Sequence, residues 1–307
     1  MTYYLGIDGG GTKTEFLCID EDGAVRARAA TGTTYHLQVG VEEVVRRLEQ
    51  GVGEVCRALA IEPEAIAYAF FGLPAYGEDR IVDPQLDAAC AGLMGHDRYR
   101  CGNDMICGWA GSLGGEDGIN IVAGTGSIGY GERCGVAARV GGWSELFGDE
   151  GSAHWIAREG LAAFTRMSDG RARRGPLHRR FVEALSLVDD LDVCARVMGP
   201  PVMPRTDIAA LAPLVSAAAG EGDAVAAAIL DEAADHLAAL ALTLRGRLGY
   251  GAGEPAALSW SGSVLTRVDP VRERFVALVG EEAAFRFVTP RHDPAYGAAL
   301  YARRIAR

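Results

Sequence analysis

The sequence predicts an α/β protein of two domains, and three observations carry this prediction. The chain has 307 residues, 49% of them hydrophobic, which is enough for two cores at about 100–200 residues per domain. Its first third reads β-β-β-α-β, which is not the strict βαβ alternation of a dinucleotide-binding fold. A second unit of two strands joined by a Gly/Thr turn follows about a hundred residues later, where a duplicated fold would place it.

The first domain begins with three predicted strands. The apolar or alternating runs YYLGI and KTEFLCID are joined by the Gly-rich DGGGTKT, and a second turn, DEDG, leads to AVRARAAT. Residues 41–59 carry apolar positions at helical spacing, and residues 66–73 form a buried strand that stops at Pro74.

The second domain repeats this plan weakly and then becomes helical. GINIVAGTGSIGYGE supplies strand, turn and strand, and residues 151–250 are Ala-rich and helical, interrupted by the loop GPPVMPRT. The strand ALSWSGSV, a helix over residues 270–279 with Asp269 as its N-cap, and the strand AAFRFV at residues 283–288 follow. A closing helix is predicted from about residue 294 to residue 307.

Charge and cysteine content exclude several classes of function. Lys and Arg number 30 against 41 Asp and Glu, so a net charge of −11 argues against nucleic-acid or membrane-surface partners. The seven cysteines are scattered without CxxC spacing, which is typical of reduced, mostly buried thiols in a cytoplasmic protein. No apolar run reaches the length of a membrane span.

The first Gly-rich turn is a candidate phosphate site. Gly10 and Gly11 allow close approach of backbone N–H groups to an anion, and Thr12 and Lys13 can donate to phosphate oxygens. Asp8, at the end of the first strand, could hold Mg²⁺ directly or through water. The alternative is a hairpin turn that binds nothing. The turn matches neither the Walker A pattern nor GxGxxG.

Two further turns are candidates for nucleotide contact. Thr125 and Gly126 offer a second set of N–H and hydroxyl donors; with Gly129 the segment fits GxGxxG, but a strand follows instead of the required helix. Gly262 and Ser263 lie between a strand and a helix and could line an adenine pocket. Either segment could instead be a simple turn.

Asn103 and Asp104 open the amphipathic stretch MICGWAGSLG. A carboxylate there can accept the proton of an attacking sugar hydroxyl, and kinases need little covalent help beyond such a base. Asp104 could instead only cap the helix.

The segment GGWSELFGDEGSA combines glycines, an aromatic platform and acidic groups just before a helix. This composition suits the stacking of a sugar ring and the acceptance of hydrogen bonds from its hydroxyls. Asp149 or Ser152 could instead only cap the following helix.

In this order, these segments resemble the N-acetylglucosamine kinase group of the BadF/BadG/BcrA/BcrD ATPase family, within the sugar kinase, heat-shock ATPase and actin superfamily. The resemblance is most specific in IDGGGTKTE, in NDMICGWAGS followed by AGTGSIG, and in GGWSELFGDEGSAHWIA. It implies two ribonuclease-H-like (actin-like ATPase) domains with a nucleotide cleft between them. The expected domains are residues 1–113, with a closing helix at 293–307 packed back on them, and residues 114–292.

The resemblance also implies a reaction: ATP-dependent phosphorylation of an amino sugar, N-acetylglucosamine or glucosamine, to its 6-phosphate. ATP and Mg²⁺ are the implied cofactors, and a homodimer is allowed. Asp104 looks like the catalytic base, Asp8 like the magnesium-side carboxylate, and Thr12 and Thr125 like phosphate contacts. Ser263 and Arg267 look like nucleotide contacts. The residues that resemble sugar contacts are Gly142, Trp143, Ser144 and Asp149, with Asn103 and His36 as further candidates.

One segment departs from the family pattern. The vertebrate-type kinases have Asn-His-Trp in a sugar-binding loop, where this chain has Tyr35, His36 and Leu37. The identity of the sugar is therefore open, and His36 could be an ordinary loop histidine.

Two other functions compete with the kinase interpretation. An activator ATPase for an acyl-CoA dehydratase or reductase would share the nucleotide fold but need cysteine ligands for an iron–sulfur cluster, for which Cys101, Cys107 and Cys134 are the candidates. A non-catalytic sugar sensor of the related repressor type would carry a helix-turn-helix ahead of the fold and a Cys-rich zinc motif, whereas this chain begins its first predicted strand at residue 3.

Overall fold

The computed structural model describes residues 1–280 and 284–306. The chain divides into two compact units. One unit comprises Met1–Asn120 together with the chain from Val288 onward, and the other comprises Ile121–Phe287. The predicted boundaries were residues 113/114 and 292/293. The strand that opens the second sheet begins at Gly118, so the division falls within that strand.

The first unit contains the β-β-β-α-β plan predicted from the sequence. Its elements are β1 (Tyr3–Gly9), β2 (Lys13–Asp20), β3 (Val25–Gly32), α1 (His36–Val39), α2 (Val41–Leu59), a 3₁₀ turn (Pro63–Ala65), β4 (Ile66–Leu73), α3 (Asp83–Met94), β5 (Tyr99–Asn103) and α4 (Met105–Leu113). Both α2 and β4 have the bounds that apolar periodicity predicted.

The second unit contains the repeat and the helical region. Its elements are β6 (Gly118–Ala123), β7 (Ser127–Arg133), β8 (Val136–Gly141), α5 (Ala153–Ser168), α6 (Pro176–Leu185), α7 (Asp192–Met198), α8 (Arg205–Ala209), α9 (Ala212–Gly220), α10 (Ala224–Arg247), β9 (Ala256–Ser261), α11 (Ser263–Arg267), α12 (Asp269–Gly280) and β10 (Phe285–Phe287). The closing helix α13 (Pro294–Ile305) returns to the first unit.

The two five-stranded sheets share one topology. The first has the order β3-β2-β1-β4-β5, and the second, read from β8, has the order β8-β7-β6-β9-β10. In the first sheet β1, β2 and β3 are antiparallel neighbours, whereas β4 and β5 run parallel to β1. The duplication predicted from the sequence is therefore confirmed.

Helix α13 packs closely on the first unit because glycines line its path. A Cβ on Gly6 of β1 would overlap the backbone of Ala299, and a Cβ on Gly297 would overlap the backbone of Gly111 in α4. Asp293 caps the helix by accepting a hydrogen bond from Tyr296 N at 2.7 Å. Backbone-to-backbone contact of this kind requires that no side chain stands between the elements.

Two predicted elements near the carboxyl terminus differ in detail. Helix α12 begins at Asp269 itself, so Asp269 is the first helical residue and not the residue before the helix. Its carboxylate lies 2.6 Å from the Arg272 guanidinium. Strand β10 covers the centre of the predicted strand, and Ala283 of that prediction lies outside the described residues. Arg307, the predicted end of the closing helix, also lies outside them.

The seven cysteines all lie in the described part of the chain and form no disulfide bond there, and five of them are buried, as predicted; Cys134 and Cys194 are exposed. Among the described helices, none combines the length and apolar character needed to cross a membrane.

Candidate functional site

Two carboxylates meet at the carboxyl edge of the first sheet. Asp8 lies near the end of β1, opposite Gly72 of β4, and Gly72 in turn lies opposite Gly102 of β5. Asp104 follows β5 directly and occupies the N-cap position of α4. Because these strands are parallel, their carboxyl ends bring Asp8 and Asp104 to the same edge, which is where open α/β sheets bind ligands.

The sequence left open whether Asp104 serves only as a helix cap. The side chain that accepts a hydrogen bond at this helix start belongs to Asn103, whose Oδ1 accepts from Met105 N at 3.2 Å. Asn103 Nδ2 also donates to Tyr76 O at 3.3 Å. Asn103, predicted as a sugar contact, thus ties the loop after β4 to the start of α4.

Gly72 allows α4 to approach β1. A Cβ on Gly72 would overlap Cys107 Sγ and would lie 3.0 Å from Ile7 O and 3.4 Å from Asp104 Cα. Cys107 Sγ donates to Ile7 O at 3.6 Å. A side chain at residue 72 would therefore push the start of α4, and Asp104 with it, away from Asp8.

Burial, together with the negative charge of Asp104, raises the pKa of Asp8 from 3.8 to about 8, against the opposing hydrogen bond from Cys107. A carboxylate in this setting is stabilised by a nearby cation. In the described part of the chain, no group of three or more His, Cys, Asp or Glu could hold a metal ion. Mg²⁺, which accepts one or two carboxylates plus phosphate oxygens, still fits Asp8 as a protein ligand.

The first Gly-rich turn closes with a hydrogen bond from Gly10 N to Lys13 O at 2.9 Å. Within this described turn, Gly10 and Gly11 do not adopt positive φ. A hairpin turn that needs glycine for its left-handed backbone conformation therefore does not explain why these two residues are glycines. A Cβ on Gly11 would meet nothing within 4 Å, and Thr12 is exposed. Lys13 Nζ lies 2.7 Å from Glu15 Oε1.

His36 is buried at the start of α1, and neither ring nitrogen has a hydrogen-bond partner among the described residues. Tyr35 packs edge-on against its ring, with centroids 6.1 Å apart. A buried imidazole without partners is costly unless a ligand or water satisfies it.

In the second unit, the β6–β7 turn and the β9–α11 turn lie against each other. Gly262 has a φ of 90°, and a Cβ there would overlap the carbonyl of Ala123 and lie 2.7 Å from Gly124 N. Gly124 O accepts from Ala153 N at 2.8 Å, which fixes the turn to the start of α5. The exposed side chains of Thr125 and Ser263 are thereby brought to one cavity.

That cavity has a volume of about 670 Å³. Thr125 lines it together with Ser263 and Arg267 of α11, although the two segments lie far apart in the sequence. The hydroxyl of Ser216, also in its wall, is buried and has no hydrogen-bond partner among the described residues. The other lining residues are Ala153, Ile156, Thr206, Ala209, Ala210, Ala212, Pro213, Ala217, Val264 and Val268. An apolar wall with a few hydroxyls and one cation suits a nucleotide.

The loop between β8 and α5 holds the predicted sugar contacts. Gly142 has a φ of 70°, Trp143 is 69% exposed and Ser144 has a φ of 96°. Asp149 is only 4% exposed and pairs with Arg205. Ser152 caps α5, because its Oγ accepts from Trp155 N at 3.1 Å, so capping does not account for Asp149.

Sequence reasoning missed Gly72, Arg205 and Ser216. Gly72 had a local signal, since a glycine inside a strand often marks a close backbone approach. Arg205 lies in the loop region GPPVMPRT, far along the chain from Asp149, and nothing in its neighbourhood indicates the pairing. Ser216 is an ordinary residue of an Ala-rich helix.

The three cysteines considered as ligands of an iron–sulfur cluster differ in their exposure to solvent. Cys101 and Cys107 are buried and Cys134 is exposed. Burial and the charge of Asp8 raise the pKa of the Cys107 thiol, which disfavours the thiolate that a metal requires.

Comparison with known proteins agrees with these features. Residues 5–302 match the model of the BadF/BadG/BcrA/BcrD ATPase family, and the chain belongs to that family. The chain is 28% identical to an N-acetylmuramic acid/N-acetylglucosamine kinase of Clostridium acetobutylicum, over 99% of both chains. It is also 28% identical to an N-acetyl-D-glucosamine kinase of Dictyostelium discoideum, over 97% of both.

A crystal structure supports the fold. The chain superimposes on a candidate N-acetylglucosamine kinase from Chromobacterium violaceum with a TM-score of 0.75, at 24% identity, over 98% of this chain and 99% of the other. Together with the two sheet orders, this confirms the actin-like ATPase fold with two ribonuclease-H-like domains.

Proposed function

We propose that this chain is an ATP-dependent sugar kinase that phosphorylates an amino sugar, N-acetylglucosamine or glucosamine, at the 6-hydroxyl. Membership in an ATPase family supports the use of ATP. Two full-length relatives named as N-acetylglucosamine kinases support the substrate class. Asp104 serves as general base.

The observation that carries the proposal is the cavity of the second unit. Its volume of about 670 Å³ lies within the range of about 300–1,000 Å³ typical of ligand sites. Thr125, Ser263 and Arg267, which the sequence assigned to nucleotide contact, all line it. The unpartnered Ser216 hydroxyl can bond to a polar edge of the base, because a buried hydroxyl gains stability from any partner.

The first unit supplies the groups that act on the hydroxyl. Asp104 accepts the proton of the attacking hydroxyl, and Asp8 would hold a magnesium ion directly or through water. Mg²⁺ neutralises phosphate charge when it is bound. The open space beside Gly11, where a Cβ would meet nothing within 4 Å, leaves room for phosphate oxygens to approach this turn.

Sugar recognition is assigned to the loop before α5 and to the loop at α1. Asp149 accepts hydrogen bonds from hydroxyls, Trp143 stacks against the ring, and Gly142 and Ser144 contact it through their backbone and hydroxyl. His36 has two ring nitrogens available for a ligand. Tyr35 replaces the family's Asn beside it and is expected to alter the preference among amino sugars.

A coupled ADP-release assay tests the proposal. Glucosamine, N-acetylglucosamine, N-acetylmannosamine, N-acetylmuramic acid and glucose are offered with Mg²⁺ and ATP, and the product is located by phosphorus NMR. We expect one or both of the first two sugars to react fastest and to give the 6-phosphate. A flat response to all five, or bound iron in the purified protein, contradicts the proposal and favours the activator interpretation.

A further inference from the structure

The carboxylate of Asp149 is buried, which is unusual for a negatively charged side chain. The residue is 4% exposed and has a positive φ of 55°. Its backbone oxygen accepts from Ser152 N at 3.1 Å, which fixes the main chain. A buried carboxylate is stable in its ionised form only when a cation or several donors compensate its lost hydration.

Arg205 supplies that compensation from a distant part of the sequence. It is the first residue of α8, and its Nη2 forms an ion pair with Asp149 Oδ2. Its Nη1 lies 3.4 Å from Glu145 Oε2, so one guanidinium contacts two of the three acidic residues of the loop. Planar guanidinium groups fix carboxylates in orientation as well as in charge.

The ion pair of Asp149 and Arg205 packs against the β6–β7 turn at Gly126. A Cβ on Gly126 would overlap Arg205 Nη2 and would lie 2.7 Å from Asp149 Oδ2. The absence of a side chain at Gly126 therefore makes room for the pair. Thr206, the next residue of α8, lines the nucleotide cavity, so one short helix contacts both that cavity and Asp149.

We propose that Arg205 is a positioning residue for Asp149: it keeps that carboxylate ionised and aimed, and thereby sets the affinity for the sugar. This inference rests on the proposed function, in which Asp149 binds the sugar. Nothing in the sequence near Arg205 assigns it such a role.

The charged surroundings of Asp149 determine the sign of the effect. Burial raises the pKa of Asp149, and the charges of Glu145 and Glu150 raise it further, whereas Arg205 lowers it. Burial and the charge of Arg205 lower the pKa of His154 in α5, which favours its neutral form. Removal of Arg205 must therefore raise the pKa of Asp149 and favour its protonated form as the pH falls.

The test compares Arg205→Met and Arg205→Lys with a matched control, Arg274→Met. Arg274 belongs to an ion pair of the same unit, 2.7 Å from Asp235, and its side chain is 41% exposed against 33% for Arg205. We expect Arg205→Met to raise the amino-sugar KM about tenfold, as the loss of one charged hydrogen bond does, with the ATP KM nearly unchanged. Arg205→Lys should recover part of the loss, and Arg274→Met should behave as wild type.

The pH profile separates positioning from a merely structural role. In Arg205→Met, the rise in sugar KM on acidification should begin at a higher pH than in the wild type. Equal increases in both KM values, or an unshifted pH profile, overturn the inference. If Arg205→Met does not fold, Arg205→Gln takes its place in the same measurements.

A second measurement does not depend on kinase activity. Carbon NMR of the Asp149 carboxyl, assigned with Asp149→Asn, follows its titration in the wild type and in Arg205→Met. We expect the pKa to move upward in the variant, and an unmoved value refutes the inference. Absence of ADP release by the wild type would instead count against the proposed function alone.

Discussion

Gly72 lies directly opposite Asp8 in the β1–β4 ladder, and the space beside its Cα is filled by the thiol of Cys107. That thiol donates to the carbonyl of Ile7, the residue before Asp8. The separation between the end of β1 and the start of α4 therefore depends on a missing side chain in the strand between them.

Gly72→Ala is expected to lower both turnover and stability. The added methyl group overlaps Cys107 Sγ, and overpacking of this kind costs about 1–3 kcal/mol. Displacement of Asp104 should lower kcat more than it raises either KM. Gly92→Ala in α3 is the control, since a Cβ there meets nothing within 4 Å. Similar melting temperatures and kcat values in the two variants would contradict the role given to Gly72.

Asp104→Asn is expected to lower kcat by about two to four orders of magnitude, the range for loss of a general base. The amide has nearly the same shape, so nucleotide affinity should stay near the wild-type value. Single-turnover kinetics and titration with a fluorescent ATP analogue measure the two quantities. Near-normal turnover would show that Asp104 is not the base.

Asp8→Asn is expected to stabilise the protein near neutral pH. The folded-state pKa of Asp8 is raised from 3.8 to about 8, so this group contributes stability that is fully present below pH 3.8 and is lost as the pH rises through about 8. The variant has no such loss. Its melting temperature should match the wild type near pH 4 and exceed it increasingly up to pH 8, with activity greatly reduced. A melting-temperature difference that is constant with pH would mean that the pKa of Asp8 is not raised.

Asp149→Ala is expected to raise the sugar KM much more than the ATP KM. It removes an acceptor for sugar hydroxyls but leaves Arg205 without its main partner, so Asp149→Asn serves as the companion variant of similar volume. Initial-rate kinetics with each substrate varied in turn measure both constants. Equal changes in the two KM values would assign the loop a structural role only.

Gly262→Ala is expected to weaken nucleotide binding. At a φ of 90°, a Cβ at this residue overlaps the carbonyl of Ala123, which forces apart the two turns that line the cavity. Gly253→Ala is the matched control, because its φ is 75° and its Cβ would meet nothing within 4 Å. Calorimetric titration with an ATP analogue should show a larger loss of affinity in Gly262→Ala; equal losses would trace the effect to backbone strain alone.

Patterns of short range predicted much of the fold. Apolar periodicity gave the bounds of α2 and β4, and turn chemistry located the β1–β2 and β6–β7 turns, because these features depend on neighbours in sequence. The prediction that Asp269 precedes α12 was wrong by one residue, since the ends of helices fray and a sequence pattern locates them only to within one or two residues.

Contacts between distant segments could not be predicted in the same way. The pair of Asp149 and Arg205 joins a loop residue to the first residue of α8, and only the packing of α8 beside the β6–β7 turn brings them together. The environment of Asp8 likewise depends on Gly72 and Cys107 in two other elements. Residue types indicated which side chains carry the chemistry, but their charge states follow from burial, which a linear pattern does not contain.

The position of α13 has a consequence for biosynthesis. Leu17 and Ile19 of β2 form a buried cluster with Ala295 and Ala299 of the closing helix. On the ribosome, this apolar face of the amino-terminal sheet has no cover until the last helix has been translated, whereas the second unit is contiguous in sequence. Leu17 and Ile19 therefore acquire these two neighbours only after all the intervening residues have been synthesised.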